Sequence, residues 1–361
     1  MSSQYRVQRL RLPASIYDAD AAEFREFSDL TDAIERQIWG NDDRCSPAAF
    51  RLGVWRDTSY ELTSLFFVRD GERMVGRGWC QVSLKEDRDR AMVRAEVLDD
   101  FTGRGIGRLL LDAATEEAAR YSRTILNSFT EHPVGFDEEA PDAVVPSTGY
   151  GALPADSRAV SFASAAGFEL SQVERYSELI LSEYDGGRRA LEEAATAAAA
   201  DYEVLVWEGI PAEYQAEMAV LLGRMSTDVP YGVDRYESAE WDADRVASLE
   251  AQLSDANTLP LYAVARHRAS GQLVAYTSLW IRSGKEDVAD QDDTLVAPEH
   301  RGHLLGTLIK LANLNAYRDR FPTARKVVTF NAEENRPMLA INEALGFRPV
   351  GYDGEWYRRL G

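Results

Sequence analysis

The chain has 361 residues, which favours two domains because a domain averages roughly 150 residues. Hydrophobic residues make up 45% of the sequence, enough to form two cores. Sixty acidic residues against 40 basic ones give a net charge of −20, which repels a phosphate backbone and disfavours nucleic acid as a partner. This charge would attract a cationic amine, although solubility is the simpler explanation for an acidic surface.

No targeting or membrane segment is evident in the sequence. The N-terminal residues Met1-Ser2-Ser3-Gln4 are polar and lack the basic start and apolar core of a signal peptide. No run of apolar residues approaches the ~20 that a membrane-spanning helix needs. The two cysteines, Cys45 and Cys80, form neither a CxxC motif nor a disulfide framework, which favours a reducing compartment. We therefore expect a cytoplasmic protein without a membrane partner.

The first half of the chain predicts an α/β module. A strand-like run begins at Tyr5, and apolar residues at helical spacing predict a helix over 21–39. A pair of strands separated by a glycine turn follows within 62–82. A further strand at 93–98 then runs into the turn Thr102-Gly103-Arg104-Gly105-Ile106-Gly107, which opens an apolar helix.

The second half repeats this order of elements with a long period. Its turn, His300-Arg301-Gly302-His303-Leu304-Leu305-Gly306, again lies between a strand and a helix. The starting tyrosines, Tyr5 and Tyr202, are 197 residues apart, and the last glycines of the two turns are 199 apart. The Gly-Phe dipeptides that close the halves, at Phe168 and Phe347, are only 179 apart, so the first half holds about 20 extra residues after its turn.

The domain organisation follows from this repeat. The extra residues fall in the acidic stretch 131–157, whose proline and glycine content indicates an inserted loop, either a lid over a site or a spacer. Residues 184–201 contain an alanine-rich run and predict a connecting helix. We predict an α/β fold made of two tandem modules, 1–183 and 202–361, joined by that helix.

Each glycine turn suits a phosphate group. The first N–H groups of a helix have no intrahelical partner, and the helix dipole adds positive potential there. Glycines let the backbone approach phosphate oxygens, and Arg104 and Arg108 add positive charge to the first turn. The turn matches neither a Walker A motif nor GxGxxG, because Arg108 stands where the third glycine is needed. One such turn is a weak signal, but two at matching places in a repeat favour a binding function.

Two segments of the second half carry a resemblance to a known family. The run Val296-Ala297-Pro298-Glu299-His300-Arg301-Gly302-His303-Leu304-Leu305-Gly306 resembles the acyl-CoA signature of the GNAT acetyltransferase superfamily. The run from Asn331 to Phe347 resembles that superfamily's second motif, a strand and helix ending in Leu-Gly-Phe. With the weaker first-half copy, the resemblance covers nearly the whole chain and is similar in layout to mycothiol synthase. It implies two GNAT-like modules, each with a mixed, mostly antiparallel sheet flanked by helices.

The resemblance also implies where the cofactor, acetyl-CoA, binds. Acyl-CoA would lie between two splayed parallel strands, with its pyrophosphate on the glycine turn and its pantetheine arm beside the preceding strand. The implied contacts in the second half are Leu295, Val296, Arg301, Gly302, His303, Leu304, Leu305, Gly306, Asn331 and Asn335. The first-half equivalents are Val97, Leu98, Gly103, Arg104, Gly105, Ile106, Gly107 and Arg108.

Both copies depart from the family pattern. The first has Thr102 where arginine or glutamine is usual, and the second has Leu304 at a usual glycine. Neither substitution removes a backbone donor. Because the second half keeps Arg301 and the asparagine-rich motif, we predict that it is the active copy, whereas the first has residues 157–166 in place of that motif.

Acyl transfer to an amine requires a base, because a free alkylammonium has a pKa near ~10. In this superfamily the strand before the turn often supplies that base, and here it carries Asp292 and Asp293. Asp293 is the first choice and Asp292 the second, because alternation along a strand points only one of them at the cleft, and Glu96 is the first-half counterpart. A solvent-facing acidic strand edge explains the aspartates nearly as well. The tyrosine acid of many GNATs is replaced by Ala163 and Asn342.

Two further features concern the substrate and metals. Asp228 and Tyr231, in a loop with proline and glycine, offer a carboxylate and an aromatic ring to a cationic substrate, although a tight turn explains the same composition. His300 and His303 lie three residues apart, but no HExxH motif or cysteine cluster accompanies them, so we predict no metal.

The resemblance implies N-acetylation of a primary amine on a small molecule by acetyl-CoA. Direct attack is expected, since neither cysteine lies in a catalytic motif. Two alternatives stay open: transfer to an amino-sugar conjugate, as in mycothiol synthase, and an acyl-CoA sensor or scaffold without turnover. N-acetylation is the leading hypothesis, and the two imperfect turns and the missing tyrosine acid are the features that support the sensor alternative.

Overall fold

The computed structural model describes residues 5–183, 188–228, 230, 232 and 236–360. These residues form two compact units. Unit 1 consists of the described residues within 1–173, 232–234 and 352–361, and unit 2 consists of those within 174–231 and 235–351. The predicted modules 1–183 and 202–361 are each continuous in the chain, whereas unit 1 includes the C-terminal residues as well.

Unit 1 contains the strands and helices predicted for the first half and others that were not predicted, such as the helix at residues 48–54. They are β1 (Val7–Arg9), α1 (Ala22–Trp39), α2 (Ala48–Val54), β2 (Glu61–Asp70), β3 (Arg73–Ser83), β4 (Arg90–Val97), α3 (Ile106–Arg120), β5 (Ile125–Pro133) and α4 (Arg158–Ala165). Strand β6 (Glu169–Ile180) begins in unit 1, and β12 (Arg348–Arg359) ends in it. The strand order in unit 1 is β1-β2-β3-β4-β5-β12. Strands β1 to β4 pair antiparallel and β4 pairs parallel with β5, which confirms the predicted mixed, mostly antiparallel sheet.

Side chains of β2 divide the core of unit 1 between the two faces of the sheet. Leu65 and Phe67 belong to a buried cluster with residues of α1, whereas Phe66 and Val68 belong to a cluster with residues of α3. This division follows from the alternation of side chains along a strand. Helix α3 approaches β3 so closely that a Cβ at Gly76 would lie 2.9 Å from the Ile106 side chain. The start of α3 is therefore held directly against the sheet.

The parallel strands β4 and β5 separate before they end. Their last paired residues are Met92 and Asn127. Strand β4 nevertheless continues to Val97, and β5 continues to Pro133. The diverging ends leave a gap beside the glycine turn that follows β4, and this gap is where the family resemblance predicts the cofactor.

Unit 2 has the same arrangement of elements. They are α5 (Arg188–Ala198), β7 (Tyr202–Glu208), α6 (Gln215–Asp228), α7 (Ala243–Asp255), β8 (Thr258–His267), β9 (Leu273–Arg282), β10 (Val288–Val296), α8 (Leu305–Arg320), β11 (Lys326–Ala332) and α9 (Arg336–Leu345). The strand order is β6-β11-β10-β9-β8-β7, and β10 and β11 are its parallel pair. Their last paired residues are Gln291 and Thr329, so these strands also diverge towards the turn.

Two predicted boundaries differ from the structure. Strand β5 extends to Pro133, so the stretch 131–157 predicted as an inserted loop begins inside a strand. The connecting helix predicted within 184–201 is α5, which lies in unit 2. No helix in the described ranges is both long and apolar enough to cross a membrane.

Gly354 on β12 is required by close packing in unit 1. A Cβ at this position would lie 2.4 Å from Leu153 Cδ1 and 3.0 Å from both Thr130 Oγ1 and Trp356 Nε1. We expect Gly354→Ala to lower the free energy of unfolding by about 1–3 kcal/mol, the usual cost of overpacking a core. Urea denaturation measures the change. Gly223→Ala in α6 is the control: its Cβ has no contact closer than 3.5 Å, and the helix should gain up to about 1 kcal/mol.

Candidate active site

The glycine turn of unit 1 leaves its backbone open at the start of α3. Gly103 and Gly105 have φ angles of +73° and +82°, and no atom lies within 4 Å of a Cβ built on either residue. Such left-handed backbone favours glycine. Gly105 is the N-cap of α3, and no side chain forms a capping hydrogen bond there. The first N–H groups of α3 therefore face a space that an anion can enter.

A cleft of about 850 Å³ lies beside this turn in unit 1. Its walls come from the diverging ends of β4 and β5, the turn and α4. Six of the predicted first-half contacts line it, namely Val97, Gly103, Gly105, Ile106, Gly107 and Arg108. Two others are not among the lining residues. Leu98 is buried in the cluster beneath α1, and Arg104 donates to the Asp100 carbonyl oxygen at 2.7 Å.

Buried ion pairs form the polar end of the cleft. Arg94 on β4 pairs with Glu131 on β5 and, at 2.8 Å, with Glu96. Arg77 on β3 reaches the second oxygen of Glu96 at 2.5 Å. Arg44 pairs with Glu131 at 2.7 Å. Since these charges are taken out of water, each depends on its partners to remain ionised.

The glycine turn of unit 2 has the same backbone shape, but the N-cap position of the following helix is Leu304 where unit 1 has Gly105. Gly302 has a φ of +87°, and Leu304, the N-cap of α8, has a φ of +53°. A left-handed backbone costs a leucine roughly 1–2 kcal/mol. Arg301 donates to the Val296 carbonyl oxygen at 3.1 Å and pairs with Asp228 at 3.2 Å. The predicted substrate residue Asp228 therefore contacts the turn in this structure.

Of the other residues singled out in the sequence, the second predicted substrate residue is not described, whereas both histidines contact Tyr202. Tyr231 lies outside the described residues. His300 Nδ1 is 3.0 Å from the Tyr202 hydroxyl, and the His303 ring packs 5.5 Å from the Tyr202 ring. Within the described ranges, no group of three or more histidine, cysteine, aspartate or glutamate side chains is placed to hold a metal.

Several of the predicted second-half contacts pack inside unit 2. Leu295 and Leu305 are buried in two apolar clusters. A Cβ at Gly306 would lie 3.1 Å from Ile341 Cδ1, whereas the equivalent Cβ at Gly107 would have no contact closer than 3.5 Å. A side chain at Gly306 would therefore have less room than one at Gly107.

The asparagines of the second motif form hydrogen bonds within unit 2. Asn331 Oδ1 accepts from Asn342 Nδ2 at 2.6 Å. Asn335 caps α9 by accepting from the Met338 backbone N–H at 3.4 Å. The two side chains hold the end of β11 and the start of α9 in place.

Solved structures of GNAT proteins resemble this chain over its whole length. A tandem GNAT protein from the clavulanic acid biosynthesis pathway is 27% identical, with 99% of each chain covered and a TM-score of 0.75. The chain has the tandem GNAT fold. A GCN5-related N-acetyltransferase from Sphaerobacter thermophilus shares the fold at 12% identity and a TM-score of 0.63, over 98% of this chain and 95% of that chain. No family model and no curated protein matches the sequence.

The two predicted bases of the second GNAT-like unit lie at a register shift in β10. Asp293 accepts a hydrogen bond from the Tyr276 hydroxyl at 2.7 Å, and Asp292 accepts one from Ser278 Oγ at 3.2 Å. Burial raises the pKa of Asp293. The pKa of Asp292 is raised first by the loss of water around its carboxyl and then by the charge of Asp293. Solvent still reaches Asp292. A reachable carboxyl with a raised pKa suits a general base, so both residues stay predictions for that role.

Glu96, the predicted base of the first GNAT-like unit, is held by two arginines. Burial opposes its charge, but Arg77 and Arg94 overcome that effect and keep the pKa of Glu96 below its usual value. A carboxylate with a lowered pKa and two guanidinium partners is a weak base. Glu96 is therefore better suited to holding Arg94 and Arg77 in position than to abstracting a proton.

His132 is a lining residue that the sequence analysis missed. It is 4% exposed on β5, and burial lowers the pKa of His132 to about 4, so the ring is neutral at pH 7. Its Nε2 lies 2.8 Å from Thr130 Oγ1, which also accepts from Trp356 Nε1 at 2.8 Å. The sequence analysis assigned residues from 131 onwards to an inserted loop, whereas β5 continues to Pro133 and carries His132.

The buried carboxylates give unit 1 a specific response to acid. Despite burial, Arg44 and Arg94 lower the pKa of Glu131 to about 2, and the pKa of Glu96 is also lowered. Acids with depressed folded-state pKa values stabilise the fold above the unfolded value of about 4.3, and this stabilisation is lost as the pH falls through the folded value. We expect the unfolding free energy to drop between about pH 4.3 and pH 2. Denaturant titrations across this pH range measure the drop in unfolding free energy. In Glu131→Gln the unfolding free energy should depend less steeply on pH.

Proposed function

We propose that the protein is an acyl-CoA-dependent N-acetyltransferase that transfers the acetyl group of acetyl-CoA to a primary amine of a small molecule. The observation that carries this proposal is the cleft of unit 1, which joins an open glycine turn to the diverging ends of two parallel strands. Its volume of about 850 Å³ lies within the range of pockets that bury cofactor-sized ligands. A cytoplasmic location belongs to the same proposal.

The residues of the cleft fit the parts of acetyl-CoA. The pyrophosphate fits the start of α3, where Gly103 and Gly105 leave room and the helix dipole favours an anion. Arg108 also lines the cleft at this end, where its guanidinium pairs with Asp112 at 3.0 Å. The amide groups of the pantetheine arm fit the backbone of β4 beyond Met92, where pairing with β5 has ended. This places the thioester towards Arg94 and Glu131.

The reaction is direct acyl transfer. A base takes the proton of the ammonium, the amine nitrogen then forms a bond to the thioester carbon, and the carbon–sulfur bond breaks. CoA leaves as a thiolate, which needs little protonation because a thiol has a pKa near ~8.5. Cys45 and Cys80 are buried, and burial raises the pKa of each thiol to about 12, so neither is suited to carry the acyl group.

We propose that unit 1 binds acetyl-CoA, although the sequence motifs favour the second copy. The turn of unit 2 carries Leu304 in a left-handed conformation, its arginine pairs with Asp228, and a Cβ at Gly306 would crowd Ile341. The turn of unit 1 has open space at both positive-φ glycines. Activity in the second unit, with Asp293 or Asp292 as base, is the alternative assignment.

Release of free thiol tests the proposed activity. Acetyl-CoA is mixed with the protein and a panel of primary amines, and CoA thiol is measured with a chromogenic disulfide. We expect release that depends on both protein and amine, with an acetamide product of matching stoichiometry. Tight acetyl-CoA binding without turnover of any amine would instead support a sensor or scaffold. Turnover restricted to amino-sugar conjugates would support the mycothiol-synthase-like alternative.

A further inference from the structure

His132 lies in the wall of the cleft of unit 1, where β5 has separated from β4. Pairing of β5 with β4 ends at Asn127, whereas β5 continues to Pro133. His132 follows Glu131, which pairs with Arg94 of β4, and all three residues line the cleft. Neighbouring residues have Cα atoms about 3.8 Å apart, so His132 flanks the place to which the proposed function assigns the thioester.

The hydrogen bonds of Thr130 determine which ring nitrogen of His132 carries the proton. An indole N–H can only donate, so Trp356 Nε1 donates to Thr130 Oγ1 at 2.8 Å. The Thr130 hydroxyl has one proton of its own to donate. In the described part of the chain, the only acceptor that hydrogen-bonds with this hydroxyl is His132 Nε2, at 2.8 Å. Nε2 therefore accepts, and the neutral ring carries its proton on Nδ1.

The Nδ1–H group of His132 is a donor that lacks a partner. His132 is 4% exposed, and no residue within the described ranges hydrogen-bonds with its Nδ1. Buried polar groups nearly always have a partner, so an exception indicates a bound water or ligand. Burial lowers the pKa of His132 to about 4, with Glu131 opposing and Arg94 adding to the effect, so the donor is uncharged at pH 7. Because His132 lines the cleft, a ligand there can accept from Nδ1.

We infer that His132 is a catalytic residue whose Nδ1–H donates a hydrogen bond to the carbonyl oxygen of the thioester. The inference rests on the proposed function. When the amine nitrogen bonds to the carbonyl carbon, an electron pair of the C=O bond moves onto the oxygen, and it returns as the carbon–sulfur bond breaks. The hydrogen bond stabilises the negative charge on the oxygen between these events, and the proton stays on Nδ1. Thr130 acts as a positioning residue, because its hydroxyl holds the ring in the donating tautomer.

The protonated nitrogen of His132 can be identified without any substrate. Proton–nitrogen correlation spectra of the imidazole rings distinguish the two neutral tautomers, and the chain has only four histidines. We expect Nδ1–H in the unmodified protein, with the signals assigned by their loss in His132→Phe. Thr130→Val should give a mixture of tautomers, whereas Thr130→Ser keeps the hydroxyl and should keep Nδ1–H. A proton on Nε2 in the unmodified protein would overturn the inference.

His132→Phe removes the donor and keeps a planar ring. We expect kcat to fall by about 100-fold, the usual effect of losing one such donor, while acetyl-CoA affinity changes by less than about threefold. His132→Asn can place an amide N–H near the position of Nδ1 and should be about tenfold more active than His132→Phe. His267→Phe in unit 2, whose ring bonds Ser270, is the matched control and should keep the kcat of the unmodified protein.

The pH profile distinguishes a neutral donor from a base. Because the pKa of His132 is about 4, the ring does not titrate above about pH 5. The pH dependence of kcat should therefore keep its shape in His132→Phe while its height falls. If the variant instead lost an acidic limb that the unmodified protein shows, His132 would be a base, and the assigned role would be wrong.

The outcomes separate the role of His132 from the proposed function. Failure of the unmodified protein to bind acetyl-CoA rejects the proposed function and the catalytic role with it. Normal acetyl-CoA binding and amine turnover, with an unchanged kcat in His132→Phe, rejects only the role of His132. Circular dichroism checks that the variants fold. If His132→Phe does not fold, His132→Asn and the tautomer in the unmodified protein decide.

Discussion

Replacing Gly107 by aspartate should weaken acetyl-CoA binding by about 100-fold or more. A carboxylate at this position would face the proposed pyrophosphate, and bringing like charges together costs several kcal/mol, with each 1.4 kcal/mol equal to tenfold in affinity. The side chain fits, because the nearest atoms to its Cβ are Phe162 ring carbons at 3.5 Å. An acid in the first turn of α3 also favours the helix, so the variant should fold. Isothermal titration calorimetry measures the affinity.

Gly306→Asp is the matched variant in unit 2. Gly306 holds the same place in α8 that Gly107 holds in α3, as the second residue of the helix. We expect Gly306→Asp to change acetyl-CoA affinity by less than about threefold. The reverse result, with loss of binding in Gly306→Asp alone, would move the cofactor to the second unit and restore the assignment that the sequence motifs favour.

Arg94→Met should lower the free energy of unfolding by about 3–5 kcal/mol. Arg94 is 5% exposed and pairs with both Glu96 and Glu131, and its guanidinium lies 3.6 Å from the centre of the Phe129 ring. Removing one partner from a buried network leaves uncompensated charge, which accounts for the size of the loss. Urea denaturation followed by circular dichroism measures it.

An exposed ion pair provides the control for Arg94. Arg36 and Asp42 lie 2.5 Å apart, but both side chains are more than half exposed. Exposed pairs contribute little, so Arg36→Met should change the unfolding free energy by no more than about 1 kcal/mol. If Arg94→Met proved as mild as Arg36→Met, the buried network would not stabilise unit 1.

The repeat and the glycine turns could be predicted because both are local in sequence. A left-handed turn before a helix requires glycine, so Gly103 and Gly105 are visible as residues. Leu304 adopts the same conformation without being glycine, and its cost shows only in the backbone angles. It was not predictable that the strand residues from 352 onwards belong to unit 1, because the residue pattern of a strand does not determine which strand it pairs with.

The polar part of the site could not be predicted for a related reason. Glu35, Arg94 and Glu131 come from α1, β4 and β5, and their ion pairs, Arg94 with Glu131 and Arg44 with both glutamates, depend on how these elements pack. Each residue alone is one charge among 100 in an acidic chain. The aspartates of β10 were noticed because they are adjacent, whereas the simple alternation used to rank them is interrupted by a register shift.

A crystal structure of the protein soaked with CoA tests the central claim most directly. The account predicts pyrophosphate density within hydrogen-bond distance of the N–H groups at the start of α3, with the pantetheine arm beside β4. Density confined to the turn of unit 2, at residues 301–306, would contradict it.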